Sequence, residues 1–346
     1  MIHQIMIKWL LFVFVSIGAR AFNASQCRSS DHETWFCDYV DTHKRTYIEK
    51  EIPLRQQLLS NIRSHKKDGV YFGQTSRSDR FPHELKSNFH LKLTKHLFLE
   101  RSSKNKHLHL AAPKHLPPID WRDVDGRSHV SSVKDQGECG GCFAFAAATV
   151  LEYWSKKEGF PKSMSPQSMI DCTSGATRPD DGCDGGLMEY VFEYAKTHPV
   201  PLEVEFPYKE RTTTCPNKKL LSHVQVNQYR VLTHSEHRNA ESEIEWLLHA
   251  YGPVSVGVDS STMDNYQSGI FKAHMCTTDI DHAVTIVGYT KDAWIIKNSW
   301  GPYWGKNGYL YLERGKNACG VAEYIVYITD AQPVSRKMST SWYKLE

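Results

Sequence analysis

The sequence predicts an α+β protein with helices early, strands late, and a cleft between two subdomains. Two observations carry this. Residues Phe143 to Tyr153 are alanine-rich and apolar on every face, the mark of a buried helix. After about residue 225 the texture changes to β-branched and aromatic runs bounded by Gly and Pro. A chain of 346 residues has room for one or two folded domains plus accessory segments.

In chain order, residues 1–21 read as a secretory signal. Lys8 gives the positive start, Trp9 to Ile17 a short apolar run, and Ala19-Arg20-Ala21 the small residues of a cleavage site. No later stretch reaches the roughly 20 apolar residues of a membrane span, so no membrane span is expected in the mature protein. Asn23-Ala24-Ser25 is the only glycosylation acceptor sequence. Residues 31–70 carry Trp35, Phe36, Tyr39, Tyr47, Glu51, Arg55, Leu59 and Ile62 at three- and four-residue spacing, which predicts helix. Glu51 and Arg55 stand at i and i+4, the supporting orientation. Residues 101–115 are basic and poor in core formers, an exposed linker. A helix is expected over Leu187 to Lys196. Strands are expected at Pro253–Val258, Ala283–Tyr289, Ala293–Lys297 and Gly308–Leu312.

The net charge of +3 argues against nucleic acid as a partner. The halves differ in sign: residues 22–115 hold 17 Lys/Arg against 10 Asp/Glu, and residues 116–346 hold 23 against 29. A basic N-terminal segment ahead of an acidic body suggests mutual attraction. Nine cysteines suit an oxidising compartment, and eight of them suffice for four bridges. The ninth is a reactive group or an intermolecular link.

Its neighbours decide for reactivity. Cys142 opens the buried helix, where the dipole favours a thiolate. Gln136 lies six residues before it, and Asp281-His282-Ala283 and Asn298-Ser299-Trp300-Gly301 follow far downstream. A thiol, an imidazole, an amide to orient the imidazole and an oxyanion donor make up a covalent acyl-transfer set. Cys139-Gly140-Gly141-Cys142 also fits a redox or metal Cys-x-x-Cys. No second such motif and no His-x-x-x-His exists, so no metal and no cofactor are expected.

The run Val133 to Cys142 resembles the active-site signature of papain-like cysteine peptidases, the cathepsin L-like branch especially. Asp120-Trp121-Arg122, Cys183-Asp184-Gly185-Gly186, Ile280 to Ala283, Lys297 to Gly301 with Trp304-Gly305, and Asn317 to Gly320 match in the family's order across residues 116–328. The resemblance implies a papain-like two-subdomain fold: a helical left domain, a β-barrel-like right domain, and the active-site cleft between them. A helical inhibitory prodomain precedes it. The divisions implied are a signal peptide to residue 21, a propeptide over 22–115, and a peptidase domain over 116–335. Within that domain the helical part covers roughly 125–225 and the β part roughly 226–328, with a tail over 336–346.

By the same resemblance Cys142 is the nucleophile, His282 its general base and acid, and Asn298 the holder of the imidazole. Trp300 shields that hydrogen bond, and the Gln136 side chain with the Cys142 N–H forms the oxyanion hole. Gly185 and Gly186 would pair with substrate backbone. Leu187, Met188, Gly257, Ile280, Ala283 and Tyr324 would border the pocket for the residue two before the cut. The implied disulfides are Cys139–Cys183, Cys172–Cys215 and Cys276–Cys319, with Cys27 and Cys37 extra to the pattern and free to bridge each other. The implied partners are protein or peptide substrates, the chain's own propeptide and cystatin-like inhibitors. The implied activity is endopeptidase, made as a zymogen activated at acid pH, in the lysosome or outside the cell. Glycosylation at Asn23 belongs to the same expectation.

Departures matter. Gly141 and Phe143 replace the usual Ser and Trp around the nucleophile, which keeps open a catalytically impaired binding protein on the same fold. In the N-terminal segment Glu51, Arg55 and Leu59 fit the family's helical motif, while its following Asn is out of step. Gly73 and Asp79 fit a second motif, but Thr75 and Arg77 replace its Asn and Phe.

Overall fold

A computed structural model describes residues 21–30, 32–86, 116–155, 162–173, 181–198, 200–216, 223–233 and 240–334. The expected signal segment, the linker over 101–115 and the tail over 336–346 lie outside the described residues.

The N-terminal segment has its own core. Strand β1 (Ala21–Phe22) pairs with β2 (Tyr47–Ile48), and helices α1 (Ala24–Arg28) and α2 (Thr34–Thr42) lie between them in sequence. Asn23 caps α1, its Oδ1 accepting from the Ser25 and Gln26 N–H groups. Phe22, Phe36, Tyr39, Val40, Tyr47, Ile52 and Leu59 are buried together around the Cys27–Cys37 disulfide. Helix α3 (Ile52–Ser60) carries the expected Glu51–Arg55 pair at 3.0 Å. Helix does not run through to residue 70, however. Strands β3 (His65–Lys67) and β4 (Val70–Phe72) form a hairpin there. Asp68 and Gly69 both have positive φ, 50° and 82°, the requirement of a two-residue turn that matches strand twist. Helix α4 (Pro82–Lys86) follows.

Asp79 ties this segment together. It accepts hydrogen bonds from Tyr39 Oη at 2.9 Å, Tyr47 Oη at 2.8 Å and Arg45 Nη2 at 3.1 Å. Arg55 pairs with Glu84 at 2.7 Å and stacks on the rings of Tyr47 and Phe81. A buried guanidinium held by two carboxylates and two rings is adequately compensated.

In the body, helix α5 (Cys142–Trp154) is buried from Cys142 through Glu152, as an alanine-rich run without a polar face requires. Helices α6 (Pro166–Cys172) and α7 (Met188–Thr197) pack beside it. A seven-stranded sheet follows the order β5 (Val224–Thr233), β12 (Tyr324–Pro333), β6 (Val254–Val258), β9 (His282–Tyr289), β10 (Ala293–Lys297), β11 (Tyr309–Glu313), β8 (Ile270–Phe271). All its pairings are antiparallel except β11 with β8. Among the described residues the two end strands do not pair with each other, so the barrel-like half is an open sheet and not a closed barrel. Helix α8 (Ala240–Tyr251) interrupts the strand-rich half.

Two hydrophobic cores result. One surrounds α5 and includes Phe143, Leu151, Met188 and Tyr324. The other joins α8 to Trp294, Trp300 and Trp304. Strand β9 contributes to both, Ala283 to the first and Val284 and Ile286 to the second. That alternation places the residue opening β9 between the cores. The N-terminal segment joins the body through β4, which pairs with β7 (Tyr266–Ser268).

Candidate active site

Cys142 is the first residue of α5 and is fully buried, outside every disulfide among the described residues. Its partner in the Cys-x-x-Cys, Cys139, is bonded to Cys183, which removes the redox-pair reading. The remaining bridges join Cys172 to Cys215, Cys276 to Cys319 and Cys27 to Cys37. Gly141 caps α5 without a side chain, and a Cβ there would lie 2.6 Å from the Ile170 Cδ1 methyl. The departure at 141 is thus matched by Ile170. Phe143 is fully buried in the α5 core.

His282 opens β9, and Thr285 three residues further on donates to the Ala146 carbonyl of α5 at 3.0 Å. That bond fixes β9 against the nucleophile's helix. Asn298 follows β10 directly, and its Oδ1 lies 2.8 Å from His282 Nε2. An amide oxygen only accepts, so Nε2 carries the proton and Nδ1 is the basic nitrogen of the neutral ring. The same Oδ1 accepts from the Ser299 N–H at 2.8 Å, which holds the amide in place. Trp300 stacks on the imidazole, ring centroids 4.8 Å apart and planes at 24°. Burial pushes the His282 pKa down to about 3, with Asn298 opposing and the Arg77 charge adding to the drop.

Gln136 is buried beside this group. Its Oε1 accepts from Ser299 Oγ at 2.6 Å and its Nε2 donates to the Cys139 carbonyl at 2.9 Å. A primary amide carries two N–H donors on its nitrogen, the kind of group an oxyanion hole uses. The Gln136 N–H donates to the Ser299 carbonyl at 2.8 Å, linking the loop before α5 to the loop after β10. The Cys142 N–H stands at the N-terminus of α5, where the helix dipole favours negative charge.

Leu187, Met188, Ala283 and Tyr324 share a core with Cys142, and Ile280 packs against it. Gly257 on β6 sits opposite Ala283 in the ladder. Gly185 and Gly186 are buried, and Gly185 has φ of 111°, a conformation open to glycine. Leu187, Met188, Ile280, Ala283 and Tyr324 thus lie in or against the core that holds Cys142, with Gly257 paired to Ala283. Asn23 is exposed but engaged as a helix cap.

Several residues here escaped the sequence. Asp281 accepts from Ser260 N and Oγ at 2.8 and 2.9 Å, and burial raises its carboxyl to about 6. Glu152 of α5 is fully buried between Lys134 at 2.9 Å and Lys297 at 3.8 Å. Lys297 precedes Asn298, so this charge network braces the imidazole's support. Glu189, next to Met188 in α7, is raised by burial to about 8. No sequence period reports on any of these contacts.

A family model described as papain family cysteine protease matches residues 116–329, well over half of the chain. The chain belongs to the papain family of cysteine proteases. It is 38% identical over 220 residues to cathepsin F of Drosophila melanogaster, a match covering 59% of this chain and 34% of that protein. With vignain of Ricinus communis the identity is 33% over 288 residues, covering 74% of this chain and 76% of the relative. The match thus spans less than two thirds of the Drosophila relative's length. Among solved structures, digestive procathepsin L 3 of Tenebrio molitor larval midgut matches with a TM-score of 0.68 at 26% identity. It covers 84% of this papain-family chain and 96% of the insect chain. That match includes residues of the N-terminal segment, since 84% exceeds what the body alone supplies. No helix among the described residues is long and apolar enough to cross a membrane.

Proposed function

We propose that the chain is a cysteine endopeptidase made as an inactive precursor in the secretory pathway, with Cys142, His282, Asn298 and Gln136 as its catalytic residues. The observation that carries the reading is the non-disulfide thiol at the start of α5, on a helix bonded to the strand that presents the His282–Asn298 pair.

The mechanism follows from the donors and acceptors. His282 Nδ1 takes the Cys142 proton, and the thiolate adds to the peptide carbonyl. The carbonyl oxygen becomes an oxyanion that accepts from Gln136 Nε2–H and the Cys142 N–H. The imidazolium then gives its proton to the leaving amine as the C–N bond breaks, which leaves a thioester. Water, deprotonated by His282, adds to the thioester; the C–S bond then breaks, the carboxylic acid is released, and the imidazolium proton returns to the Cys142 thiolate. Asn298 keeps Nε2 protonated throughout. The apolar set Leu187, Met188, Ile280 and Ala283, closed by Tyr324, favours a hydrophobic residue two before the cut.

The segment over 22–115 acts as the inhibitor. β4 pairs with β7, Arg77 pairs with Asp264 at 2.6 Å and Arg80 with Glu138 at 2.5 Å, each cation on the segment and each carboxylate on the body. The reading places release of the segment at acid pH, in a lysosomal or acidic extracellular setting. The loop before Cys183 that decides between endo- and exopeptidase lies partly outside the described residues. Incubation of the precursor at pH 4 to 7, followed by cleavage of a doubly blocked internally quenched peptide, tests the reading. It predicts faster activation at low pH and cleavage inside the peptide. Activation at a flat rate, or no cleavage of a blocked peptide, would overturn it.

A further inference from the structure

We propose that the place held by the Arg77 guanidinium is an arginine-reading site. Once the N-terminal segment has left, it takes an arginine side chain of the substrate on the leaving-group side of the scissile bond. The proposal rests on the precursor reading above.

Arg77 is only 5% exposed, although its side chain comes from the segment to be removed. Its Cζ sits 3.8 Å from the centroid of the Trp300 ring and its Nε lies 2.6 Å from Asp264 Oδ1. A planar cation over an indole with a carboxylate at its edge is a combination that guanidinium satisfies and ammonium satisfies less well. The surroundings reinforce the sign. Asp135 attracts the same guanidinium, and Glu138 holds Arg80 nearby. Arg80 itself opposes the Arg77 charge, so removing the segment removes a competing cation and leaves Asp264, Asp135 and Glu138 on the body.

Position gives the site its role. Trp300 stacks on His282, the ring that hands a proton to the leaving amine. Asp135 and Glu138 flank Gln136, the oxyanion donor, in sequence. Residues after the cut therefore pass the indole face that Arg77 covers in the precursor. The segment fills this site with a residue of the type the site selects, which also explains why Arg77 stands where the family resemblance expects Phe.

The test uses activated enzyme and internally quenched peptides that differ only in the first and second positions after the cut. Each position carries Arg, Lys or norleucine in turn. At one of the two, Arg is expected to raise kcat/KM about tenfold over norleucine, chiefly through KM, with Lys in between. Asp264→Asn, combined with Arg77→Met so that the precursor buries no unmatched guanidinium, is expected to bring the Arg-to-norleucine ratio near one. Equal rates for Arg and norleucine in the parent enzyme would overturn the proposal without any variant, and so would a ratio that survives Asp264→Asn. Failure to cleave any of the peptides would instead overturn the peptidase reading beneath it.

Discussion

Glu152→Gln probes the buried charge network that connects the nucleophile's helix to the residue supporting the imidazole. Glu152 Oε1 accepts from Lys134 Nζ at 2.9 Å and from the Met164 N–H at 3.0 Å, while Oε2 accepts from Ser131 Oγ at 2.5 Å. In the variant Lys134 keeps the Met164 carbonyl at 2.7 Å and Glu203 at 3.3 Å. Lys297, only 4% exposed, keeps the Ser131 hydroxyl and loses its nearest carboxylate. Removing one partner of a buried pair costs about 3–5 kcal/mol. Lys297 has an escape, since burial already depresses it to about 8 despite the attraction of Glu152. Shedding its proton limits the penalty, and we expect the low end, about 3 kcal/mol. At roughly 2–4 °C per kcal/mol for a body of this size, Tm falls by about 6–12 °C.

The sign with pH is fixed by linkage. In the variant the folded-state pKa of Lys297 drops further below its unfolded value of about 10.4. Between those values the unfolded chain binds the extra proton, so stability climbs with pH. The parent begins to climb only above about 8. The deficit of Glu152→Gln should therefore shrink from pH 7 to pH 9. Thermal unfolding followed by circular dichroism, with Cys142→Ala in both proteins to stop self-digestion, measures it. A deficit under 1 kcal/mol, or one that stays the same at both pH values, would refute this electrostatic account.

Three further outcomes are expected. Gln136→Ala should lower kcat by about 10²–10³ with little change in KM, because the lost donor meets charge only in the transition state; steady-state kinetics on a short peptide reads this. Replacing Cys27 and Cys37 by Ser opens a cross-link across a separation of 10 residues and should cost the N-terminal segment about 3 kcal/mol, seen as faster proteolytic nicking within residues 21–60. Glu189 is raised by burial to about 8, so its contribution is fully present below its unfolded value of about 4.3 and is lost as pH rises towards 8. Glu189→Gln should thus gain on the parent in Tm from pH 5 to pH 8, and a constant difference would contradict the shift.

The chemistry was legible in the sequence because acyl transfer restricts residue type and order. The residue types at Cys142, His282, Asn298 and Gln136 have few substitutes in such chemistry, and the structure sets His282 against Asn298 and Gln136 against Ser299. Helix α5 was legible because its alanines leave no polar face. Strands β6, β9, β10 and β11 announced themselves by β-branched runs between Gly and Pro. Helix α8 was overlooked although Ile244, Leu247 and Leu248 show the spacing of a buried stripe. The hairpin at 65–72 carried an Asp68-Gly69 turn signal that the helical spacing upstream obscured. Sheet closure was out of reach, because it depends on whether β5 and β8 meet and no single strand encodes that. The Arg77–Asp264 and Lys297–Glu152 pairs were equally hidden, since a contact between segments more than a hundred residues apart leaves no local period.

The central claim is that Cys142, activated by His282, is the attacking nucleophile. Incubation of the acid-activated protein with an epoxide-type thiol inhibitor, read by intact and peptide mass spectrometry, tests it most directly. The account predicts one adduct per chain, on the peptide containing Cys142, with loss of hydrolysis in proportion and no adduct in Cys142→Ala. Hydrolysis that persists in fully labelled protein or in Cys142→Ala would contradict it.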